Sequence, residues 1–225
     1  MTPSIPAAEP RKNGSTLLFE IREPDTPLVM WERDIPGDVV KQIQTWLSTG
    51  DCCVEEEIHV DQMDVRGLLA ARLAENGWSE NSKTGNWLID DLTDLVYRFS
   101  EVADTCSLLF RLESLRDSAC CKFHTDYLTL RMLCTYFGPG TEWAPEEAVC
   151  HEEIGCTADS TAAANRRIIP NPETIQRTAS GTVLLFKGNR YPGTEGRGLV
   201  HRSAPVSAPH HTRLLLRIDP VQAGL

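Results

Sequence analysis

Apolar residues recur at helical spacing in three stretches of the first half of the chain. The first stretch runs from Pro36 to Gly50, and the second runs from about Gln62 to Ala74. The third has the clearest apolar stripe, formed by Leu88, Ile89, Leu92, Leu95, Val96, Phe99 and Val102. This spacing predicts three amphipathic helices, and we expect them to cover one face of a sheet.

Strand-like runs lie on both sides of the helical region. Leu17–Ile21 and Leu28–Trp31 are separated by prolines, which favours two short strands at a sheet edge. Further along the chain, the predicted strands are Ser107–Leu112, Lys122–His124, Leu128–Phe137, Thr182–Phe186, Leu199–Arg202 and Arg213–Ile218. This order predicts an α+β fold with a double-stranded β-helix core, of the jelly-roll or cupin-like kind, and N-terminal helices packed on one sheet face.

The chain of 225 residues has the length of one full-sized domain. Residues 1–15 contain little to bury, so we expect a disordered leader followed by a single domain over residues 16–225. Strands and covering helices should occupy residues 16–105, and the β-helix core residues 106–225. The segment from Ala144 to Ser180 lacks clear periodicity, and a loop of this length is often a lid or a binding loop.

Charge and hydropathy narrow the possible partners. Acidic residues outnumber basic residues by 32 to 22, and the net charge of -10 argues against a nucleic-acid partner. No apolar run approaches the ~18 residues that a membrane helix needs, and the N-terminus lacks the apolar core of a signal peptide. We therefore expect a cytoplasmic protein with no membrane partner. The substrate, whether a small molecule or a protein, and the oligomeric state are left open.

His124 and Asp126 are two residues apart at the end of a predicted strand. On an extended chain both side chains leave the same face, where one cation could contact both. An imidazole and a carboxylate suit iron(II), manganese or zinc, and a second imidazole would complete a two-His-one-carboxylate site. His201 is our candidate because it lies between two strand-like runs, at residues 181–186 and 213–218. We therefore predict that His124, Asp126 and His201 form a catalytic metal site.

Two simpler interpretations compete with this metal site. A second His-x-Asp triplet, His59 to Asp61, lies at the entry to a helical pattern, where Asp61 as a helix N-cap and His59 on the surface would explain it. His124 could also be a half-buried histidine that bonds to a neighbour, with Asp126 closing a turn. The ordered succession of strand, His-x-Asp, long insertion, His and final strand favours the metal site.

The chain has eight cysteines, which we expect to be thiols in a reducing compartment. Some of them could form part of a zinc site, although no paired Cys-x-x-Cys spacing occurs. The candidates for this minor alternative are Cys120, Cys121, Cys150, His151, Cys156 and His210–His211.

Arg213 begins the last predicted strand, twelve residues after His201. Its forked guanidinium could hold a carboxylate through two parallel hydrogen bonds, as a 2-oxo acid cosubstrate requires. Arg217 points to the same face of the strand and is the rival anchor. Tyr136 and Arg131 could add a hydroxyl group and a second positive charge to the same cofactor-binding pocket.

Several segments together carry a family resemblance. They are FHTD at residues 123–126, Arg131, CTYFGPGTEW at 134–143, LFKG at 185–188 and GLVHRS at 198–203. From roughly Leu17 to the C-terminus, the chain resembles the bacterial family called domain of unknown function 1826, whose name implies no established activity. More distantly, its His-x-Asp, glycine-led strand, second histidine and following arginine resemble prolyl-hydroxylase-like 2-oxoglutarate and iron(II) dioxygenases.

The second resemblance implies that His124, Asp126 and His201 bind iron(II) and that Arg213 anchors 2-oxoglutarate. The predicted function is then a non-haem iron(II)- and 2-oxoglutarate-dependent oxygenase that hydroxylates an unknown substrate. The alternative is a cupin-like protein that holds zinc or another divalent ion at the same residues without oxygenase activity. A third possibility is an interaction protein that keeps the barrel and binds no metal.

Overall fold

The computed structural model describes residues 14–79, 83–116, 120–194, 196–205 and 212–221. The helices in these parts of the chain are α1 (Gly14–Leu18), α2 (Gly37–Thr49), α3 (Val65–Glu75), α4 (Lys83–Ala103) and α5 (Thr161–Ile168). The strands are β1 (Leu28–Trp31), β2 (Cys53–His59), β3 (Ser107–Leu115), β4 (Leu130–Phe137), β5 (Glu142–Trp143), β6 (Gln176–Arg177), β7 (Val183–Lys187), β8 (His201–Arg202) and β9 (Arg213–Pro220). None of these helices combines the length and the apolar composition that a membrane crossing requires.

The strands form two antiparallel sheets. The large sheet has six strands in the order β1-β7-β4-β9-β3-β2, and the small sheet has three in the order β6-β5-β8. A single bridge between His124 and His201 extends the small sheet beyond β8. The predicted combination of helices with antiparallel sheet is therefore confirmed.

The two faces of the large sheet contribute to different apolar clusters, because successive side chains of a strand point in opposite directions. Met132 of β4 lies in a cluster that also contains Leu92 of α4. Leu133 lies in a second cluster with Leu215 of β9, and Trp143 of the small sheet packs against that cluster. One face of β4 therefore shares its core with helices, and the other shares its core with the small sheet.

The three predicted helices correspond to α2, α3 and α4. In α4, all seven residues of the predicted apolar stripe are buried. Helix α3 begins at Val65, three residues later than predicted, because the Asp64 carboxylate accepts a hydrogen bond from the Gly67 amide at 3.0 Å and so caps the helix.

Two predictions of local structure near the N-terminus need correction. Leu17–Ile21, predicted as a strand, lies in α1 and in the 3₁₀ helix Phe19–Arg22, with Leu18 and Ile21 fully buried. Strand β2 was not predicted, although Val54 and Ile58 are buried in the alternating pattern of a strand. Most of the expected leader, residues 1–13, lies outside the described residues, and the predicted domain boundaries stay predictions.

The segment from residue 144 to residue 180 contains α5, β6 and three 3₁₀ helices. Its residues Ile168 and Ile169 pack in a third apolar cluster with Phe123, Ala144 and Val200. Phe123 and Val200 directly precede His124 and His201, and Ala144 directly follows Trp143. Their side chains therefore point to the side of the small sheet that faces away from the side chains of His124, Trp143 and His201. The segment therefore covers the outer side of the small sheet, and its role as a lid stays a prediction.

Candidate metal centre

His124 and His201 lie side by side on two antiparallel chain segments. The amide of each residue donates a hydrogen bond to the carbonyl oxygen of the other, both at 3.0 Å, and the two ring centroids are 4.6 Å apart. Asp126 lies two residues beyond His124. One ligand atom from each of the three residues lies within 4.8 Å of the other two. The structure thus brings the three predicted metal ligands together.

Both imidazoles are oriented by the backbone. Nδ1 of His124 lies 2.8 Å from the Lys122 carbonyl oxygen, and Nδ1 of His201 lies 3.1 Å from the Leu199 carbonyl oxygen. A carbonyl oxygen only accepts hydrogen bonds, so each Nδ1 carries a hydrogen. The Nε2 atoms then face Asp126, at 3.7 Å from Oδ1 for His124 and 3.2 Å from Oδ2 for His201. This orientation presents both Nε2 atoms as metal ligands.

Arg131 orients the carboxylate of Asp126. Its Nη1 donates to Asp126 Oδ2 at 2.5 Å, while its Nε and Nη2 donate to the two oxygens of Asp219 at 2.6 and 2.7 Å. Arg131 was predicted to contact a cofactor, but its guanidinium is already engaged by two carboxylates. It therefore acts as a positioning residue for Asp126.

The pKa values of two triad members favour the protonation states that a metal requires. Burial alone would raise the pKa of Asp126, but the neighbouring His201 and the positive charge of Arg131 outweigh this effect and hold that pKa well below its usual range. Burial, together with the neighbouring imidazole of His201, lowers the pKa of His124. An ionised carboxylate and a neutral imidazole are the forms that bind metal ions.

Arg213 is a buried cation held by hydroxyl groups. Its side chain is almost fully buried, and the residue is 1% exposed. Its Nη2 donates to Thr141 Oγ1 at 2.6 Å and to Thr135 Oγ1 at 3.0 Å, and its Nη1 donates to Ser203 Oγ at 3.2 Å. No carboxylate among the described residues forms an ion pair with it. Burial lowers the pKa of Arg213 to about 10.

The other two candidates for the cofactor pocket differ in position. Arg217 lies on the same face of β9 as Arg213, but its side chain is 32% exposed and its Nε lies 3.4 Å from Asp219. Tyr136 does not reach the site, because it lies in the apolar cluster shared with the helices and its hydroxyl donates to Asp91 of α4. Tyr136 lies an odd number of positions from Arg131 on β4, so the two side chains point to opposite faces.

One cavity joins these groups. It has a volume of about 270 Å³, and its lining includes His124, His201, Arg131, Arg213 and Arg217. The same space therefore contains the imidazoles of two candidate metal ligands and an arginine that pairs with no carboxylate in the described parts of the chain. Such a cavity suits a small acid that contacts both.

Sequence reasoning missed the residues that support the predicted ones. Asp219 lies on the same face of β9 as Arg213 and Arg217, so the alternation of that strand was a usable signal. Thr135, Thr141 and Ser203 come from separate segments, and no spacing in the sequence connects them to Arg213.

The competing His-x-Asp triplet does not form a similar site. His59 is the last residue of β2, with Nδ1 2.9 Å from Ser107 Oγ and Nε2 3.4 Å from Glu57. The predicted N-cap role of Asp61 is wrong, because Asp64 caps α3.

The minor zinc alternative is also not assembled in the described parts of the chain. His151 Nε2 lies 2.9 Å from Glu146, and the Cys150 thiol donates to Glu152. His210–His211 lie outside the described residues.

Comparison with protein families identifies one match. The family described as "Protein of unknown function (DUF1826)" matches residues 13–219. The chain belongs to the DUF1826 family. Comparison with curated proteins gives no match.

The DUF1826 chain is also similar to several solved structures. A Pseudomonas putida prolyl-4-hydroxylase has 9% sequence identity and a TM-score of 0.47, with 93% of this chain and 99% of that chain covered. The dioxygenase for auxin oxidation from rice has 11% identity and a TM-score of 0.46, with 92% and 78% covered. The dioxygenase for auxin oxidation 1 from Arabidopsis thaliana, a 2-oxoglutarate complex, has 11% identity and a TM-score of 0.44, with 93% and 88% covered.

Proposed function

We propose that this DUF1826 protein is an iron(II)- and 2-oxoglutarate-dependent oxygenase that hydroxylates a substrate still to be identified. The observation that carries the proposal is that His124 and His201, which meet Asp126, line the same cavity as Arg213, a cation with no carboxylate partner among the described residues. The two sheets are then the halves of a double-stranded β-helix. We also propose the cytoplasm as its location, because iron(II) and free cysteines suit a reducing compartment.

The donor set fits iron(II). Two neutral imidazole nitrogens and one ionised carboxylate are the ligands of the two-His-one-carboxylate sites that bind this ion and leave coordination positions open. The carbonyls of Lys122 and Leu199 and the guanidinium of Arg131 are the supporting groups that keep such ligands oriented. When bound, iron(II) and 2-oxoglutarate supply oxidative decarboxylation of the oxo acid coupled to hydroxylation of a C–H bond.

Arg213 is the proposed anchor for the distal carboxylate of the oxo acid. A buried cation without a counter-ion is unfavourable, and a carboxylate ligand would offset that cost through charge-assisted hydrogen bonds. The hydroxyls of Thr135, Thr141 and Ser203 fix the guanidinium before the ligand arrives. Arg217 suits this role less well because it is more exposed and lies close to Asp219.

The alternative proposal is a metal-binding protein that holds zinc or another divalent ion at the same three residues. Two imidazoles and a carboxylate also bind zinc, so the donor set itself is compatible with both ions. The alternative gives no role to the unpaired charge of Arg213, which is why we favour the oxygenase.

Anaerobic reconstitution of the metal-free protein tests the proposal. After addition of iron(II), 2-oxoglutarate and then oxygen, we expect the wild-type protein to retain iron and to form succinate even without its substrate. His201→Ala should lose both properties. His59→Ala is the matched control, since it changes the other His-x-Asp triplet, and it should keep both. Absence of iron retention and succinate in the wild-type protein would contradict the proposal, and tightly bound zinc without succinate would favour the alternative.

A further inference from the structure

A second cavity lies between α5 and the outer side of the small sheet. Its volume is about 370 Å³, compared with about 270 Å³ for the cavity at the metal centre. Much of its wall is apolar, including Phe123, Ala162, Ile169, Pro172 and Ile175. A largely apolar cavity of this size falls in the range that small-molecule ligands occupy.

The charged residues that line this second cavity are both arginines. They are Arg166 of α5 and Arg202 of β8, and no acidic residue is part of the lining. Arg166 has no ion-pair partner among the described residues, whereas the neighbouring Arg167 lies 4.0 Å from Glu153. The cavity therefore presents positive charge in a protein whose net charge is -10.

The carboxylate of Glu142, which accepts a hydrogen bond from Arg202, also accepts one from Arg177. Arg177, Glu142 and Arg202 lie directly opposite one another across the three strands of the small sheet. Glu142 accepts from Arg202 at 2.7 Å and from Arg177 at 3.1 Å. Glu142 is therefore shared by two guanidinium groups, while Arg166 in the cavity lining has no ion-pair partner among the described residues. An anionic ligand would complete the balance of charge.

The cavity wall is held in place without a ligand. The Asn165 side chain accepts from the Phe123 amide and donates to the Cys121 carbonyl oxygen, each at 2.8 Å. The Arg202 guanidinium lies 4.4 Å from the centroid of the Phe123 ring, at a distance typical of a cation–π contact. A fixed aromatic wall beside two arginines suits a ligand with an apolar body and an acidic end.

We propose that this second cavity binds an organic acid, with its carboxylate at Arg166 and Arg202 and its hydrocarbon part against Phe123 and Ile169. This site goes beyond the proposed oxygenase function because it requires neither the metal nor Arg213, although Arg202 lines both cavities. Phe123 and Arg202 adjoin His124 and His201 in the sequence, so the second cavity lies back to back with the metal centre.

Isothermal titration calorimetry of the metal-free full-length chain with octanoate, octan-1-ol and octylamine tests this site. We expect saturable binding of octanoate, with octan-1-ol at least about tenfold weaker and octylamine weaker still, because only octanoate supplies the anion. Arg166→Gln should weaken octanoate binding by about tenfold or more. The matched control Arg167→Gln, on the same helix but outside the cavity lining, should leave it unchanged.

A cavity-filling variant separates the second cavity from the metal centre. Ala162 is exposed near the start of α5, so Ala162→Trp should keep the fold, as checked by circular dichroism, and abolish octanoate binding. Arg213→Met should bind octanoate as the wild-type protein does. The inference is overturned if octanoate does not bind saturably, if octan-1-ol binds equally well, or if Arg166→Gln and Ala162→Trp both retain full affinity.

Discussion

Arg33, whose side chain is 14% exposed, and the buried Arg213 lie on opposite faces of the large sheet. On the helix side, both terminal nitrogens of Arg33 donate to Asp91, one of them at 2.9 Å, and its Nε donates to the Gly181 carbonyl oxygen at 2.9 Å. On the side of the metal centre, the hydrogen bonds that Arg213 donates within the described residues all go to hydroxyl groups. The charge of Arg33 is therefore neutralised by a carboxylate, whereas Arg213 has no such partner among the described residues.

The pKa values of these two arginines shift in opposite directions. Burial acts to lower the pKa of Arg33, but the acidic groups of Tyr136, Cys134 and Asp91 outweigh it and raise that pKa. Burial dominates for Arg213, whose pKa falls to about 10. Groups with strongly perturbed pKa values are concentrated at functional sites, and structural ion pairs also perturb pKa values. The comparison supports a stabilising role for Arg33 and is consistent with the ligand-binding role that we propose for Arg213.

Removal of the carboxylate on the helix side should give the largest effect. Asp91→Ala leaves Arg33 buried without its counter-ion, so we expect the free energy of unfolding to fall by about 3–5 kcal/mol. Urea denaturation measures this change. Asp90→Ala, at the adjacent exposed position that pairs with Arg66, should change it by less than about 1 kcal/mol. Equal effects of the two substitutions would remove the distinction between Arg33 and Arg213.

Removal of the arginine on the metal side should affect binding more than stability. Arg213→Met takes away a charge that has no ion-pair partner in the described residues, so we expect the free energy of unfolding of the ligand-free protein to change by less than about 1 kcal/mol. Affinity for 2-oxoglutarate should fall by about 2–5 kcal/mol, as measured by calorimetry under anaerobic conditions. Arg217→Met is the matched control on the same face of β9. A larger loss of affinity for 2-oxoglutarate in Arg217→Met than in Arg213→Met would identify Arg217 as the anchor.

The hydroxyl groups around Arg213 allow a finer test. Thr141→Val keeps the shape of the side chain and removes an acceptor 2.6 Å from Arg213 Nη2, so we expect the free energy of unfolding to fall by about 1.5 kcal/mol. Thr93→Val is the control, because the Thr93 hydroxyl donates to the Ile89 carbonyl within α4 and contacts no guanidinium. A smaller change in Thr141→Val than in Thr93→Val would show that the hydroxyls do not hold the buried charge.

The proximity of His124, Asp126 and His201 was predicted from the sequence, although the predicted strand Lys122–His124 is reduced to a single bridge at His124. His124 and Asp126 share a face by their spacing, and the position of Arg213 followed from the start of the last strand. Tyr136 was predicted to lie in the same pocket as Arg131. The two residues are an odd number of positions apart on β4, so strand alternation places their side chains on opposite faces. The role of Arg131 could not be predicted, since its partner Asp219 is far away in the sequence and meets it only through the pairing of β4 with β9.

The helical and strand patterns were predictable to different extents. The apolar stripe of α4 is long and regular, so the spacing alone identified it. Strand β2 contains three consecutive glutamates, which hide the alternation of Val54 and Ile58. In the short run Leu17–Ile21, the two buried residues Leu18 and Ile21 have a spacing that a helical turn can also produce. The run is helical in the structure.

The orientation of the two imidazoles depends on main-chain atoms two residues upstream of each histidine. A carbonyl oxygen is present whichever amino acid occupies positions 122 and 199, so substitutions at Lys122 and Leu199 leave both tautomers intact. Insertion or deletion of a single residue between the carbonyl and its histidine would instead turn the ring to the other side of the chain. The centre is thus tolerant of changes in composition at these positions and intolerant of changes in length.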